Sequence, residues 1–552
     1  MKKIPVYILC LIILAACAPA TEAPTATGTP VIPPTASVTS TPRPAALWIS
    51  PAVPAALRTE ADSWNIPLVD DAQAATQKLE ISAPGSTWIY ALVAPFPTVT
   101  DGVTYADLLS NWRGVPAGPL AGRALLMDES TLAALSAIWG GPASGSARTV
   151  PAEQLLDLAW SEMPAWAIIP FDDIQPKWKV LTLDGGSPIR KDFNADTYQL
   201  KVTFGLSNPS ELVLPATNRD PAKLTTVVLT GVTALVRATA LTMELKGVDY
   251  PGSLIRDWLR EADIAHISNE VTFDGECAYP KYSSSLVLCS DPKYMDLLLD
   301  VGTDVVELTG DHLLDRGTSV LVDTLGMYKA QNLPYYGGGM NAEEARQPVL
   351  MEVNGNKIAF MGCNGKPVLF QKATKTTPGP AECDYDFFDD QIRTLKAQGY
   401  MVIFTFQHNE CYSPQPCYLL EEGFHNVADA GATVVSGSQA HFPHTMEFRG
   451  DSFIHFGLGN LFFDQMTYIL PDGQVIDGTR REFLDRHVFY DGHYLGVELL
   501  TAMLEDYARP RPMSETERAA FLSDYFSYGG FVPFSPTPIP QPTVTLTPIA
   551  LP

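Results

Sequence analysis

The chain is 552 residues long, 46% apolar, with 62 acidic against 37 basic residues and a net charge of −25. That length exceeds what one hydrophobic core holds, so more than one domain is expected. The charge repels nucleic acid and anionic membrane surfaces alike, which argues against a nucleic-acid partner.

The chain opens on Lys2 and Lys3, an apolar run from Ile4 to Leu14, and the small residues Leu14-Ala15-Ala16 before Cys17. The run is too short to span a bilayer as a free helix, and no later stretch is long and apolar enough to do so. Leu14-Ala15-Ala16-Cys17 resembles a bacterial lipobox. That resemblance implies a signal peptide over residues 1–17, cleavage before Cys17 and a diacylglycerol on its sulfur. The mature chain is then extracytoplasmic, with membrane lipid as a partner through Cys17 at the outer face of the cell membrane. The alternative is an ordinary secretory signal in which Cys17 is incidental.

Besides Cys10 and Cys17, six cysteines fall into close neighbours: Cys277 with Cys289, Cys363 with Cys383, and Cys411 with Cys417. An exported chain permits three local disulfides. Zinc binding is the competing reading, although no Cys-x-x-Cys spacing is present.

Residues 18–45 and 533–552 are rich in Pro and Thr and read as a disordered linker and a disordered tail. Between 46 and 205, Trp88–Phe96, Arg123–Asp128 and Ala165–Phe171 read as strands, and Tyr105–Trp112, Ser130–Trp139 and Pro151–Met163 as helices. This alternation predicts a smaller α/β domain. It contains no His or Cys, so metal chemistry is not expected there. Val93–Gly114 resembles a segment of the extracellular solute-binding protein fold.

Residues 206–532 form the second expected domain. Its strands end in polar residues: Ile264–Ile267 at Ser268-Asn269-Glu270, Val305–Leu308 at Gly310-Asp311-His312, Met401–Phe406 at Gln407-His408-Asn409-Glu410. Thr433–Val435 leads to Gly437–His441, Phe453–Phe456 to Gly457-Leu458-Gly459-Asn460, and Thr225–Thr230 to Gly231. Helical periodicity marks Ser253–Ala262, Ser319–Gln331, Asp384–Ala397 and Leu419–Ala430. Repeated strands and helices of this kind build a sheet with helices on both faces, whose strand ends converge on one crevice. Glu270, Asp311, His408 and His441, with His312 beside them, are a mixed O/N set suited to one divalent metal, Mn, Fe or Zn, or none. Singly, each has a plainer role as a helix cap or turn residue. A bound metal would polarise a phosphoryl oxygen, with an imidazole as the acid.

The order Ala262-Asp263 to Glu270, Thr309-Gly310-Asp311-His312 with Asp315 and Gly317, and Tyr336 to Asn341 is similar to the CapA family of capsule and poly-γ-glutamate synthesis proteins. His408, the Gly437–His441 turn and Leu458-Gly459-Asn460-Leu461-Phe462 extend the resemblance over about residues 225 to 470. It implies a calcineurin-like metallophosphoesterase fold, a four-layer α/β/β/α sandwich here preceded by the smaller α/β domain. It also implies metal ligation by Glu270, Asp311, His408 and His441, His312 as general acid, and Asn269 and Asn460 on the substrate. Two departures stand out: Val232 follows Gly231 where the family has an Asp ligand, and Gln439 replaces the first His of a Gly-x-His-x-His turn. One metal position then keeps Glu270, Asp311 and His408, the other only Glu270 and His441.

Two functions follow. One is a metal-dependent, phosphoesterase-like hydrolase acting with the capsule or cell-envelope polymer machinery; the other is a non-catalytic lipoprotein that binds a solute or glycan.

Overall fold

Leu224–Leu229 reads LTTVVL, all six residues are buried, and alternate side chains enter different cores: Val227 and Leu229 one, Val228 another. A strand apolar on both faces has a layer packed on each side. The same division recurs at Ile264 against Ala265 and Ile267, and at Val305 against Val306. A computed structural model describes residues 45–208, 212–367, 372–469 and 473–531 of the chain. Cys17, the linker before residue 45 and the tail 533–552 lie outside the described residues.

These strands belong to a nine-stranded sheet, ordered Tyr335–Tyr336, Val305–Glu307, Ile264–Asn269, Leu224–Leu229, Arg481–Tyr490, His493–Glu505 and Arg509–Pro512. Val232–Thr233 and Asn460–Phe462 extend it at the site end, where Val232 pairs with Ser268 and Asn460. A second sheet of six strands runs Val349–Val353, Asn356–Asn364, Met401–Gln407, Val434–Ser436, Ser452–His455 and Met446–Arg449. Its strands alternate as well: Phe360, Ile403, Val434 and Phe453 face the first sheet, whereas Met361, Val402, Val435 and Ile454 face outward.

Helices close both outer faces. Leu321, Leu325 and Tyr328 of Thr318–Ala330 pack on the first sheet with Ala240 and Met243 of Arg237–Lys246. Phe388 and Ile392 of Tyr385–Ala397, with Phe424 and Val427 of Tyr418–Ala430, pack on the second. The result is an α/β/β/α arrangement, as the family resemblance implies; the single sheet suggested by the strand–helix alternation is in fact two. The parallel strands of both sheets end at the same edge, which collects the polar residues there.

Upstream, a seven-stranded sheet is built on Gln77–Pro95, which pairs with Leu47–Ile49, Trp166–Pro170, Trp178–Val180 and Lys201–Leu206. This strand is longer than the Trp88–Phe96 read from sequence. Pro84-Gly85 looks like a breaker, but the register shifts between Ile81 and Ser86 and the strand passes through the irregularity. The helices Tyr105–Trp112 and Glu129–Trp139 start where Thr104 and Asp128 accept the backbone N–H groups of Asp107 and Thr131.

The six cysteines form Cys277–Cys289, Cys363–Cys383 and Cys411–Cys417, so they are not zinc ligands. Among the described residues no helix is long and apolar enough to cross a membrane.

Candidate metal centre

Glu270 follows the strand Ile264–Asn269 and is fully buried. Asp311 and His312 follow the neighbouring strand Val305–Glu307. Gly310 lets the two strand ends meet, since a Cβ there would stand 2.7 Å from the Glu270 Cα. Glu270, Asp311 and His312 place one ligand atom each within 4.8 Å of one another, a group able to hold a metal ion. The donor set suits a divalent cation.

Neither carboxylate oxygen of Glu270 has a hydrogen-bond partner among the described residues. Buried carboxylates are normally paired, and an unpaired one is a ready cation ligand. Burial pushes the Glu270 carboxyl above its ordinary range, against the pull of His441 and His312. His312 Nδ1 lies 2.7 Å from Asp315 Oδ2, which leaves Nε2 for a metal or a proton. Burial disfavours the imidazolium, but Asp315, Glu270 and Asp311 outweigh it and push His312 up to about 9.

His441 lies at the edge of this group, its Nε2 3.7 Å from Glu270 Oε1 and 3.9 Å from Glu410 Oε1. Its Nδ1 is 2.9 Å from Asn460 Oδ1, and the Asn460 amide donates to the carbonyls of His441 and Thr479. Asn460 therefore orients His441. Asn269 is fully buried and donates to Val271 O and the Tyr328 hydroxyl, each at 2.7 Å.

His408 stands apart from the Glu270–Asp311–His312 group. Strand side chains alternate, and it is Gln407, the last residue of its strand, that reaches Asp311, with Nε2 3.2 Å from Oδ1. His408 packs instead against Gly365, where a Cβ would come within 2.5 Å of its Cδ2. Its Nδ1 accepts the Asn409 N–H, and burial, with Lys372 and Lys366 nearby, draws it down to about 4. Val232 is buried and apolar, and Gln439 Nε2 is turned to Ser268 Oγ at 2.7 Å.

Two site residues escaped the sequence reading. Lys366, just beyond the strand Asn356–Asn364, sets Nζ 2.7 Å from both Asp311 Oδ2 and Glu410 Oε1. Burial opposes the Glu410 carboxylate, yet His441 and Lys366 hold it down at about 2. The Asn364-Gly365-Lys366 turn carries no local signal that sets Lys366 apart from a solvated lysine, whereas Glu410 sits in the Gln407–Glu410 segment. Below the site, Glu307 Oε2 lies 3.2 Å from His266 Nε2, also accepts from Ser438, and Tyr336 OH is 2.9 Å from the same nitrogen. This network sits between the sheets, fully buried.

Residues 226–465, which contain Glu270, Asp311, His312, Lys366, Glu410 and His441, match the family model of the bacterial capsule synthesis protein PGA_cap. Over that stretch the chain is similar to the CapA family. It is 25% identical over 279 residues to the capsule biosynthesis protein CapA of Bacillus anthracis, covering 50% of this chain and 68% of that protein. With the PGA biosynthesis protein CapA of Bacillus subtilis (strain 168) the identity is 26% over 225 residues, covering 40% of this chain and 59% of the relative. Among solved structures, a 5′-nucleotidase precursor from Thermus thermophilus aligns at 14% identity and a TM-score of 0.29, covering 55% of this chain and 59% of that one. The matched stretch covers most of the two-sheet sandwich but not its strands Arg481–Tyr490, His493–Glu505 and Arg509–Pro512, and the seven-stranded sheet lies before it.

Proposed function

We propose that this CapA-like chain works on the outer face of the cell membrane, held by a lipid on Cys17, in the synthesis or handling of capsule or poly-γ-glutamate polymer together with the capsule machinery. Its centre is read as a one-metal, phosphoesterase-like hydrolytic site acting at a phosphate or γ-glutamyl linkage. The observation that carries this reading is the grouping of a fully buried Glu270 carboxylate, without a hydrogen bond among the described residues, with Asp311 and His312 inside the family-matched stretch.

Glu270, Asp311 and His312 would hold the cation, which when bound supplies Lewis acidity and an acidified water. Asp315 fixes the His312 ring through Nδ1, so that Nε2 is the atom that binds or carries a proton. His441, oriented by Asn460, adds a second imidazole beside Glu270.

Val232 and Gln439 favour a second reading, in which the sandwich is a scaffold and the chain binds a solute or glycan without turnover. Elemental analysis of the purified chain and of Glu270→Ala separates the two. About one Mn, Fe or Zn per chain, lost in the variant together with hydrolysis of phosphodiesters or γ-glutamyl polymer, supports the hydrolase. No metal in either after reconstitution with Mn and Zn leaves the binding reading.

A further inference from the structure

Glu270, Asp311 and Glu410 come from three different strand ends and are separated by basic side chains. His441 stands between Glu270 and Glu410, at 3.7 and 3.9 Å, and Lys366 bridges Glu410 and Asp311 at 2.7 Å on each side. Lys366 is held in place. Its backbone N–H donates to Asn364 Oδ1 at 2.9 Å, and the Asn364 amide donates to Thr309 O at 2.7 Å, on the loop that carries Asp311. The Lys366 side chain is 7% exposed, so its ammonium belongs to the site and not to solvent.

The groups that would ligate a second metal are missing or weak. Val232 offers no donor, and Gln439 and Gln407, whose amide nitrogens donate to Ser268 Oγ and Asp311 Oδ1, have only a neutral carbonyl oxygen to offer in place of an imidazole or carboxylate. A divalent ion between Asp311 and Glu410 would meet the ammonium at contact distance, and the repulsion is severe where both charges are shielded from water.

We infer that Lys366 is a built-in second cation: its ammonium takes, between Asp311 and Glu410, the place of a second metal and limits the centre to one ion at Glu270, Asp311 and His312. Unlike a metal, this charge survives a chelator, so the site keeps an anion-attracting group when the ion is removed. The inference rests on the one-metal reading above, and the test separates the two.

The test is Mn2+ binding to the purified full-length chain, measured by calorimetry and elemental analysis, for the parent, Lys366→Gln, Lys366→Arg and Glu410→Gln. The parent is expected to bind one ion, Lys366→Gln two ions or one ion at least roughly tenfold more tightly, and Lys366→Arg as the parent does. Equal stoichiometry and affinity in the parent and Lys366→Gln would overturn the role of Lys366 while leaving the one-metal reading intact. No ion in the parent but one in Lys366→Gln would retire the one-metal reading and support Lys366 as the cation. No ion in either overturns both. Should Lys366→Gln not fold, Glu410→Gln decides: retention of the single ion supports the assignment, and its loss, which would make Glu410 a ligand of that ion, overturns it.

Discussion

Asp315 Oδ2 accepts from two directions: the His312 ring through Nδ1 at 2.7 Å and the backbone N–H of Leu288 at 2.7 Å. One carboxylate oxygen therefore ties the candidate metal centre to the loop closed by Cys277–Cys289. Replacing Asp315 by Asn removes the negative charge that, with Glu270 and Asp311, overcomes burial and raises His312 to about 9. The expected outcome in the metal-free chain is a fall in the His312 pKa of about one unit or more, read by NMR titration of its ring protons. An unchanged titration would assign the elevation to Glu270 and Asp311 alone. A raised imidazole pKa stabilises the fold below the unfolded value of about 6.5, and that contribution is lost as pH rises through about 9.

Glu270 presents the opposite balance, because its charge is buried without a hydrogen bond among the described residues. In chelator, Glu270→Gln is expected to raise the melting temperature, since a neutral amide costs less to bury; a gain on the order of 1–3 kcal/mol is expected. The same variant should lose the stabilisation that Mn2+ gives the parent, about 2.7 kcal/mol at a hundredfold excess over Kd. Thermal unfolding with and without Mn2+ measures both effects. A variant that is less stable in chelator would mean that His441, at 3.7 Å, pairs with the carboxylate strongly enough to justify its burial.

Much of the site was visible in sequence because its residues follow short apolar runs: Glu270 after IAHISN, and Asp311 and His312 beyond Val305–Glu307. Helix limits were also legible: Tyr105–Trp112 forms with the bounds read from sequence, and the helix read as Ser130–Trp139 starts one residue earlier, at Glu129. Side-chain direction past a strand end was not. His408 and Gln407 are adjacent, and only the register of Met401–Gln407 decides that Gln407 faces Asp311. Lys366 was hidden for another reason. A lysine after Gly reads as a solvated turn, and its partner Asp311 lies 55 positions away on the other sheet's edge. The strand before it, Asn356–Asn364, ends in Gly362-Cys363-Asn364, which does not stand out as an apolar run. The presence of two sheets instead of one was likewise outside local periodicity, since a strand buried on both faces looks the same whether helices or a second sheet cover it.

The Cys363–Cys383 bridge fastens the end of the strand that leads to Lys366, and it closes a loop with a sequence separation of 20. Cys363 is fully buried. Replacing both cysteines by Ala is expected to destabilise the chain by about 3 kcal/mol, seen as a lower midpoint in urea. It should also weaken Mn2+ discrimination between the parent and Lys366→Gln, because the Asn364-Gly365-Lys366 turn is no longer fixed at its root. Equal urea midpoints would mean that packing alone holds that strand end.

Acid should unfold the chain through buried histidines that are not part of the Glu270–Asp311–His312 group. His444 and His487 are fully buried, and burial draws each down to about 4; the bond from His444 Nδ1 to Ser413 O and the Asp485 charge near His487 only partly oppose it. A histidine with a depressed pKa is neutral in the fold but takes up a proton when unfolded. Stability is therefore fully present above about pH 6.5 and is lost as pH falls toward 4. At pH 5 each is expected to cost the fold roughly 2 kcal/mol. The measurement is the melting temperature of the metal-free chain between pH 7 and 4.5, beside His487→Phe. The ring of His487 lies among Phe453 and Tyr494, so an aromatic hydrocarbon fits its surroundings at the loss of one hydrogen bond to Tyr494. The variant should show a shallower loss of stability with acid than the parent. A parallel pair of curves would place the acid sensitivity elsewhere, with His444 as the next residue to replace.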